Sequence, residues 1–342
     1  MPALVSLADI RGAAARIEGV AVRTPLVSVA GPPSPPAASE PVGDHAGSGS
    51  GVPPDSGGTP RLFLKCENLQ RGGSFKLRGA FNFIVQVAAE RRAGGLITYS
   101  SGNHAQAVAL AARTLGAPAV VVMPETAPAV KVDGARALGA EVLFEGTTSV
   151  ERRARAEAEA ERRGLTIVPP FDHPEIVAGQ GTVGLEILDD CPAPAAVYVP
   201  VGGGGLAAGV AAAVKARCPA ARVVGVEPVG ADAMARSLAA GAPVTLDRAE
   251  SIADGLLPVR PGDLTFAHAA ALVDEIVTVD DAAIAAAVRW LAARAKIVAE
   301  PSGAASVAAA LGRADAAWRS APGGSAPAGG TATAGGTALA GG

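Results

Sequence analysis

Through its middle the chain alternates short runs rich in Val, Ile and Leu with longer Ala-rich stretches that carry charges at helical spacing. Seven runs read as strands: "RLFLKCE" (61–67), "GLITYS" (95–100), "PAVVVMP" (118–124), "AEVLFEG" (140–146), "AAVYVPV" (195–201), "ARVVGVEP" (221–228) and "DEIVTVD" (274–280). The spacing predicts helices over 103–115, 128–138, 149–163, 175–189, 205–217 and 280–295. Strand and helix taking turns through short links is the signature of parallel sheets covered on both faces. Gly116 and Gly139 fall where a helix C-cap would precede the next strand, which supports the alternation.

At 342 residues the chain is long enough for two domains or one large α/β unit. Its 29 Lys+Arg against 32 Asp+Glu, 3% aromatics and absence of a basic stripe argue against a nucleic-acid surface and favour small polar ligands. The cysteines Cys66, Cys191 and Cys218 are odd in number and lack metal-site spacing, so neither a disulfide framework nor zinc is expected. That usage fits a reducing cytoplasm. Asp9, Arg11, Arg16 and Glu18 interrupt the N-terminal stretch too early for a signal-peptide core, and no charge-free run approaches ~20 apolar residues, so no membrane segment is expected. Residues 31–60 are dense in Pro, Gly and Ser and read as a disordered surface insertion, as does the low-complexity end of the chain. "ERRARAEAEAERR" (151–163) reads as a solvated helix with ion pairs four residues apart.

In parallel sheets ligands bind at the carboxyl ends of strands. Three loops draw attention there. Gly202, Gly203, Gly204 and Gly205 follow one strand and open a helix; their N–H groups can converge on a phosphate, although they carry neither the Walker Lys-Ser/Thr nor G-x-G-x-x-G spacing. "SSGNHAQAVAL" places Ser100, Ser101, Gly102, Asn103 and His104 at a helix start, a composition that can hold a carboxylate and, taken alone, reads equally as a helix cap. "GGSFKLRGA" (72–80) sets Lys76 beside Phe75, after a flexible turn. An amine meeting a phosphorylated aldehyde in a desolvated cleft forms a Schiff base, and the three loops together point to pyridoxal 5'-phosphate.

Longer stretches resemble one family. "LKCENLQRGGSFKLRGA" (64–80), "SSGNHAQAVALAA" (100–112), "FDHPEIVAGQGTVGLEIL" (171–188), "VPVGGGGLAAGVAAAVKA" (199–216), "GVEPVGADA" (225–233), "SIADGL" (251–256) and "KIVAEPSGAAS" (296–306) are similar to the fold-type II pyridoxal-phosphate enzymes, in the threonine/serine dehydratase and serine racemase branch. The resemblance implies a tryptophan synthase β-like α/β fold: two three-layer αβα domains with mostly parallel sheets. Residues 1–93 and 171–313 would form the large cofactor-binding domain, 94–170 the small one, and 314–342 a tail. It implies that Lys76 holds the cofactor as a Schiff base and serves as base at the substrate Cα, with Phe75 packing beside the ring. Asn103 would bond the ring O3' oxygen, Gly202 to Gly205 the phosphate, and Ser100 to His104 the substrate carboxylate. Gly255 would line the cofactor pocket, and Ser101 occupies the position of the racemases' second acid.

The activity so implied is conversion of L-threonine and L-serine to 2-oxobutyrate or pyruvate plus ammonia. Serine racemase, a hydroxyaspartate or hydroxyectoine-pathway lyase, and a catalytically impaired ligand-binding homologue are the alternatives. Relatives of this kind are commonly dimers or tetramers, so a homo-oligomer is expected. The family's terminal Ser/Cys-Gly-Gly-Asn turn, which bonds the pyridine nitrogen, is not found after Leu311. An unpartnered buried ring nitrogen costs ~1–3 kcal/mol, and Ser302 is the candidate substitute. The racemase cation pattern is matched at Glu227 and Ala231 but position 233 is Ala, so no divalent metal site is expected. No appended regulatory domain is expected either.

Overall fold

This computed structural model describes residues 2–29, 62–100 and 102–319, with side chains to Arg313. The expected insertion at 31–60, Ser101 and residues 320–342 lie outside the described residues. Helix α1 (Leu7–Ile17) starts with a Ser6–Asp9 capping box. Two short antiparallel strands follow, β1 (Leu26–Val29) and β2 (Leu62–Lys65), and then α2 (Lys76–Val85) and α3 (Ala89–Ala93).

A four-stranded sheet comes next, in the order β5-β4-β3-β6, all neighbours parallel. Its strands are β3 (Leu96–Tyr99), β4 (Ala119–Met123), β5 (Glu141–Phe144) and β6 (Thr166–Ile167), connected by α4 (Asn103–Thr114), α5 (Ala129–Ala137) and α6 (Ser149–Arg163). Period-two alternation divides the faces. Leu96, Val121 and Met123 pack with Ala105, Val108 and Ala112 of α4 and with Val132 and Ala135 of α5. Ile97, Val120 and Val122 pack against Ala156 and Ala160 of α6.

After α7 (Pro174–Asp190) a second parallel sheet forms from β7 (Ala196–Pro200), β8 (Arg222–Pro228) and β9 (Glu275–Val279). It is enclosed by α8 (Gly205–Arg217), α9 (Ala233–Ala240) and α10 (Asp263–Leu272) on one side and by α11 (Asp281–Trp290) and α12 (Pro301–Arg319) on the other. The chain therefore has the expected α/β architecture of helices layered on parallel sheets.

Each of the seven expected strands is present and somewhat shorter than expected, and Gly116 (φ 66°) and Gly139 (φ 89°) take the left-handed conformation that ends a helix. β6, at two residues, is too short for a period to register, and β1 pairs antiparallel with β2 outside the strand–helix alternation. The helix expected over 280–295 is α-helical only to Trp290. Leu291–Ala295 widen into a π turn, and Lys296 (φ 59°) reverses the chain. Helix α12 continues through 314–319, where the sequence predicts the start of the tail.

The charged helix α6 carries the expected Arg153–Glu157 and Arg155–Glu159 pairs, but it is not solvated all round: Arg152 and Glu159 are buried. His268, without an evident partner in the sequence, ties the N-terminus to α10: its Nε2 accepts from the Val5 N–H (2.8 Å) and its Nδ1–H donates to the Leu264 carbonyl (2.8 Å). No helix among the described residues is long and apolar enough to cross a membrane.

Helices α2, α7 and α8 touch backbone to backbone. A Cβ at Gly179 would lie 2.5 Å from the Gly79 Cα and 2.7 Å from the Arg78 carbonyl oxygen. Both obstacles are main chain and have no rotamer to move. Gly179→Ala should force α7 away from α2 and cost ~1–3 kcal/mol, measured as a lower urea midpoint at unchanged m-value.

Candidate active site

The carboxyl ends of β3 and β7 open on one cleft of about 1500 Å³. Lys76 projects into it from the first position of α2. Gly72 (φ 77°) and Gly73 (φ 74°) make the turn before it, and Ser74 is extended, so the helix begins with Phe75 as N-cap. The Lys76 Nζ donates to the Pro170 carbonyl at 3.0 Å and lies 5.3 Å from the Phe75 ring centroid. Burial lowers its pKa to about 8, against the opposing pull of Glu300. A useful fraction of the amine is neutral near pH 7.

Gly202, Gly203, Gly204 and Gly205 line the same cleft. Gly204 sits at φ 92°, and a Cβ on Gly203 would overlap the Phe171 ring. Thr265 Oγ1 donates to the Gly203 carbonyl (2.6 Å), turning that oxygen away from any ligand. Among the described residues the Gly203 and Gly204 N–H groups meet no acceptor. With the α8 N-terminus behind them, they form an anion cradle that side chains would fill.

On the opposite side, the turn after β3 brings Ser100, Gly102, Asn103 and His104 to the cleft. Ser100 Oγ accepts from the Gly102 N–H (3.3 Å), and Asn103 Nδ2 donates to Glu300 Oε1 (2.6 Å). His104 has one ring nitrogen, Nε2, on the Val168 carbonyl (3.3 Å), while its buried Nδ1 has no partner. Burial and then the Lys76 charge lower the His104 pKa to about 3, so the ring is neutral. Because a carbonyl can only accept, the proton resides on Nε2. Nδ1 is then a buried lone pair without a donor.

Gly255 and Ser302 are also brought together. Ser302 Oγ accepts from the Gly255 N–H at 2.9 Å, which joins the "ADGL" loop to the start of α12 and leaves the hydroxyl proton free to donate. A buried amine of lowered pKa, an N–H cradle for an anion and an orphaned imidazole nitrogen fit a phosphorylated aldehyde.

Comparison with known proteins agrees. Residues 52–323 match the family described as pyridoxal-phosphate dependent enzyme. The chain belongs to that family. The family's cofactor, pyridoxal 5'-phosphate, is the cofactor of this member. The chain is 45% identical over 254 residues to an L-threonine ammonia-lyase of Thermotoga maritima, covering 74% of this chain and 63% of that protein's length. It is 39% identical over 306 residues to an L-threo-3-hydroxyaspartate ammonia-lyase of a Pseudomonas species, covering 90% of this chain and 89% of that one. The structure of maize serine racemase superposes with a TM-score of 0.80 at 36% identity, covering 93% and 91% of the two chains.

This pyridoxal-phosphate enzyme also places in its cleft residues that sequence reasoning passed over. Glu300 lies within the quoted "EPSGA" but was given no role; its pKa is raised by burial, with the Asn103 hydrogen bond opposing. Lys131 pairs with Asp254, and its side chain lies against Gly102, 2.7 Å from where a Cβ would stand. Lys131 and Asp254 are 123 positions apart, and nothing local marks either one. Glu227 serves as a helix cap: its two carboxylate oxygens accept from the N–H groups of Met234 (2.9 Å) and Ala235 (2.8 Å) at the start of α9. Burial raises its pKa to about 7. Among the described residues no cluster of three or more His, Cys, Asp or Glu is placed to hold a metal ion.

Behind Lys76, Arg78 is fully buried between two carboxylates. Its guanidinium donates to Glu67 (Nε, 2.8 Å), to Glu186 (Nη1, 2.6 Å), to Thr182 (3.1 Å) and to the Val22 carbonyl (3.2 Å); Lys65 also pairs with Glu186 at 2.5 Å. Burial pulls its pKa down, but Glu67 and Glu186 outweigh that and hold it above its ordinary value. Arg78→Met should leave two carboxylates short of their cation and cost ~3–5 kcal/mol, measured by urea unfolding.

In the apoprotein, Lys76 should react with an amine-directed reagent with a half-point near pH 8 rather than near 10.5. The unfolded chain holds the extra proton between those two values, so the stability cost of Lys76 is largest below pH 8 and relieved as pH rises toward 10.5. Lys76→Met should accordingly be more stable than wild type at pH 7, and that advantage should shrink at pH 10, as measured by parallel urea melts.

Proposed function

We propose that this pyridoxal-phosphate enzyme is an ammonia-lyase acting on β-hydroxy amino acids, with L-threonine and L-serine the simplest substrates. The observation that carries the reading is the neutral-prone amine of Lys76, set between an anion cradle and a carboxylate-binding turn. Gly202 to Gly205 would hold the cofactor's phosphate and Lys76 its aldehyde carbon, with Phe75 packing beside the ring and Gly255 lining the pocket. Asn103, oriented by Glu300, would bond the ring oxygen, and Ser302 offers its free hydroxyl proton to the ring nitrogen. Once bound, the cofactor supplies an electron sink for charge left at the substrate Cα.

The chain's own residues do the rest. The N–H groups at the start of α4 and the Ser100 and Ser101 hydroxyls receive the α-carboxylate. Lys76 Nζ would take the Cα proton and return a proton to the departing β-hydroxyl, which leaves as water. The enamine product takes water back and releases ammonia, so threonine yields 2-oxobutyrate and serine yields pyruvate. Support comes from the similarity to proteins named threonine ammonia-lyase and hydroxyaspartate ammonia-lyase. Residues 1–93 with 171–313 would act as the cofactor-binding unit and 94–170 as the substrate-side unit of a cytoplasmic homo-oligomer.

The likeness to maize serine racemase favours a second reading, racemisation, in which Ser101 would return a proton from the face opposite Lys76. Reconstituted protein should be yellow, lose the colour on borohydride reduction with the label on Lys76, and release oxo acid from L-threonine and L-serine. Lys76→Ala should lower the rate by ~10²–10⁴-fold. Yellow protein that yields no oxo acid from any β-hydroxy amino acid sinks the lyase reading, and D-serine as the main product of L-serine establishes the racemase.

A further inference from the structure

We propose that the His104 Nδ1 lone pair accepts a hydrogen bond from the Lys76 ammonium after that amine has taken the Cα proton, holding the charged nitrogen in place until the proton passes to the departing β-hydroxyl. His104 is then a positioning residue that acts through Lys76. The inference rests on the ammonia-lyase reading for its place in turnover, while the contact itself belongs to two side chains of the apoprotein.

Each partner lacks what the other offers. His104 is 2% exposed, and its Nδ1 is buried with no hydrogen-bond partner among the described residues. Its Nε2–H is committed to the Val168 carbonyl (3.3 Å), so Nδ1 can only accept. An ammonium carries three donors, and Lys76 Nζ has one acceptor among the described residues, the Pro170 carbonyl at 3.0 Å. A buried acceptor and a buried cation left short of partners each carry a desolvation cost, which one bond between them relieves.

The fold brings the two together. Lys76 and His104 are the first and second residues of α2 and α4, and both line the cleft. The two helices pack through Leu77, Ala80, Ala105 and Val108 in one core cluster. The polar ends of Lys76 and His104 are tied to carbonyls two residues apart on one segment, a span of at most ~7 Å. After burial, the Lys76 charge is the main influence keeping the His104 ring neutral.

The other charged groups at this wall are engaged elsewhere or carry the wrong sign. Glu300 accepts from Asn103 (2.6 Å), Asp254 pairs with Lys131, and the Asp172 oxygens accept from the N–H groups of Asp263, Leu264 and Thr265. Glu300 attracts Lys76 through space without bonding Nζ, and Arg152 is a cation.

The atoms balance. The Cα–H bond breaks as an Nζ–H bond forms, and that proton leaves with the β-hydroxyl as water. His104 stays neutral throughout, and no oxidant or reductant is required.

The test follows Lys76 in the apoprotein through the pH dependence of amine labelling, in wild type, His104→Asn and His104→Leu. An ammonium without its acceptor gives up its proton more readily, so His104→Leu should move the half-point from near pH 8 down by about one pH unit. His104→Asn, whose side-chain oxygen stands in for Nδ1, should keep most of the wild-type value. A half-point unmoved or raised in His104→Leu, or lowered equally in both variants, means that the imidazole only fills space and overturns the inference. If His104→Leu does not fold, the nitrogen NMR resonance of His104 Nδ1 decides. It should shift as Lys76 titrates and stay still over the same range in Lys76→Met; a resonance that ignores that titration in wild type overturns the contact. In holoenzyme, His104→Leu should lower kcat on L-threonine about tenfold with KM changed less than about twofold, and His104→Asn should restore most of kcat. A loss confined to KM overturns the place in turnover. If wild type turns over no β-hydroxy amino acid, the ammonia-lyase reading fails and the labelling still decides on His104.

Discussion

A single buried guanidinium holds the reactive end of the molecule in place. Arg78 is two residues beyond Lys76, and its donors reach Glu67 before α2, Glu186 on α7 and the Val22 carbonyl. Burying such a charge is costly unless its donors are met, and here they are. The result is a helix whose first turn is fixed from behind by ion pairs and from the side by the Gly79–Gly179 contact. Lys76 therefore enters the cleft from a rigid element, not from a loop.

The cleft concentrates positive potential. The α8 N-terminus lies behind the glycine cradle, α4 begins beneath the Ser100–His104 turn, and Lys76 and Arg152 add cationic side chains. Desolvation by the same walls lowers the Lys76 pKa, so one arrangement attracts anionic ligands and keeps the amine reactive. Two contacts cross between the β3 side and the later part of the chain, Asn103 with Glu300 and Lys131 with Asp254. Each brings a polar group to the edge of the space around Lys76.

Much of this was legible in the residues. Repeated strand–helix alternation predicts the parallel sheets, since apolar runs of four to seven residues with glycine stops admit few other architectures. The glycine quartet, the Ser100–His104 turn and Lys76 were identifiable because each is a local pattern with its own chemistry. Glu300, Lys131 and Asp254 were not, because an isolated acid or lysine in sequence looks like any surface charge until a partner distant in the chain arrives. Glu227 shows the same limit from the other direction. It matches part of a cation pattern in the sequence, and in the fold both its oxygens are used on the α9 N–H groups.

Arg152 is the sharpest case. In "ERRARAEAEAERR" it reads as one more charge of a solvated helix, although Arg153 has Glu157 four residues on and Arg152 has Ala156 there. What the sequence by itself determined was the order of elements, the phosphate-type loop and the reactive lysine, all encoded within a few consecutive residues. The tertiary structure alone decided which charges are buried, which are paired and which face the cleft. Those properties depend on packing α6 against β3 and β4 and on closing contacts between residues far apart in the chain, and no local pattern carries that information.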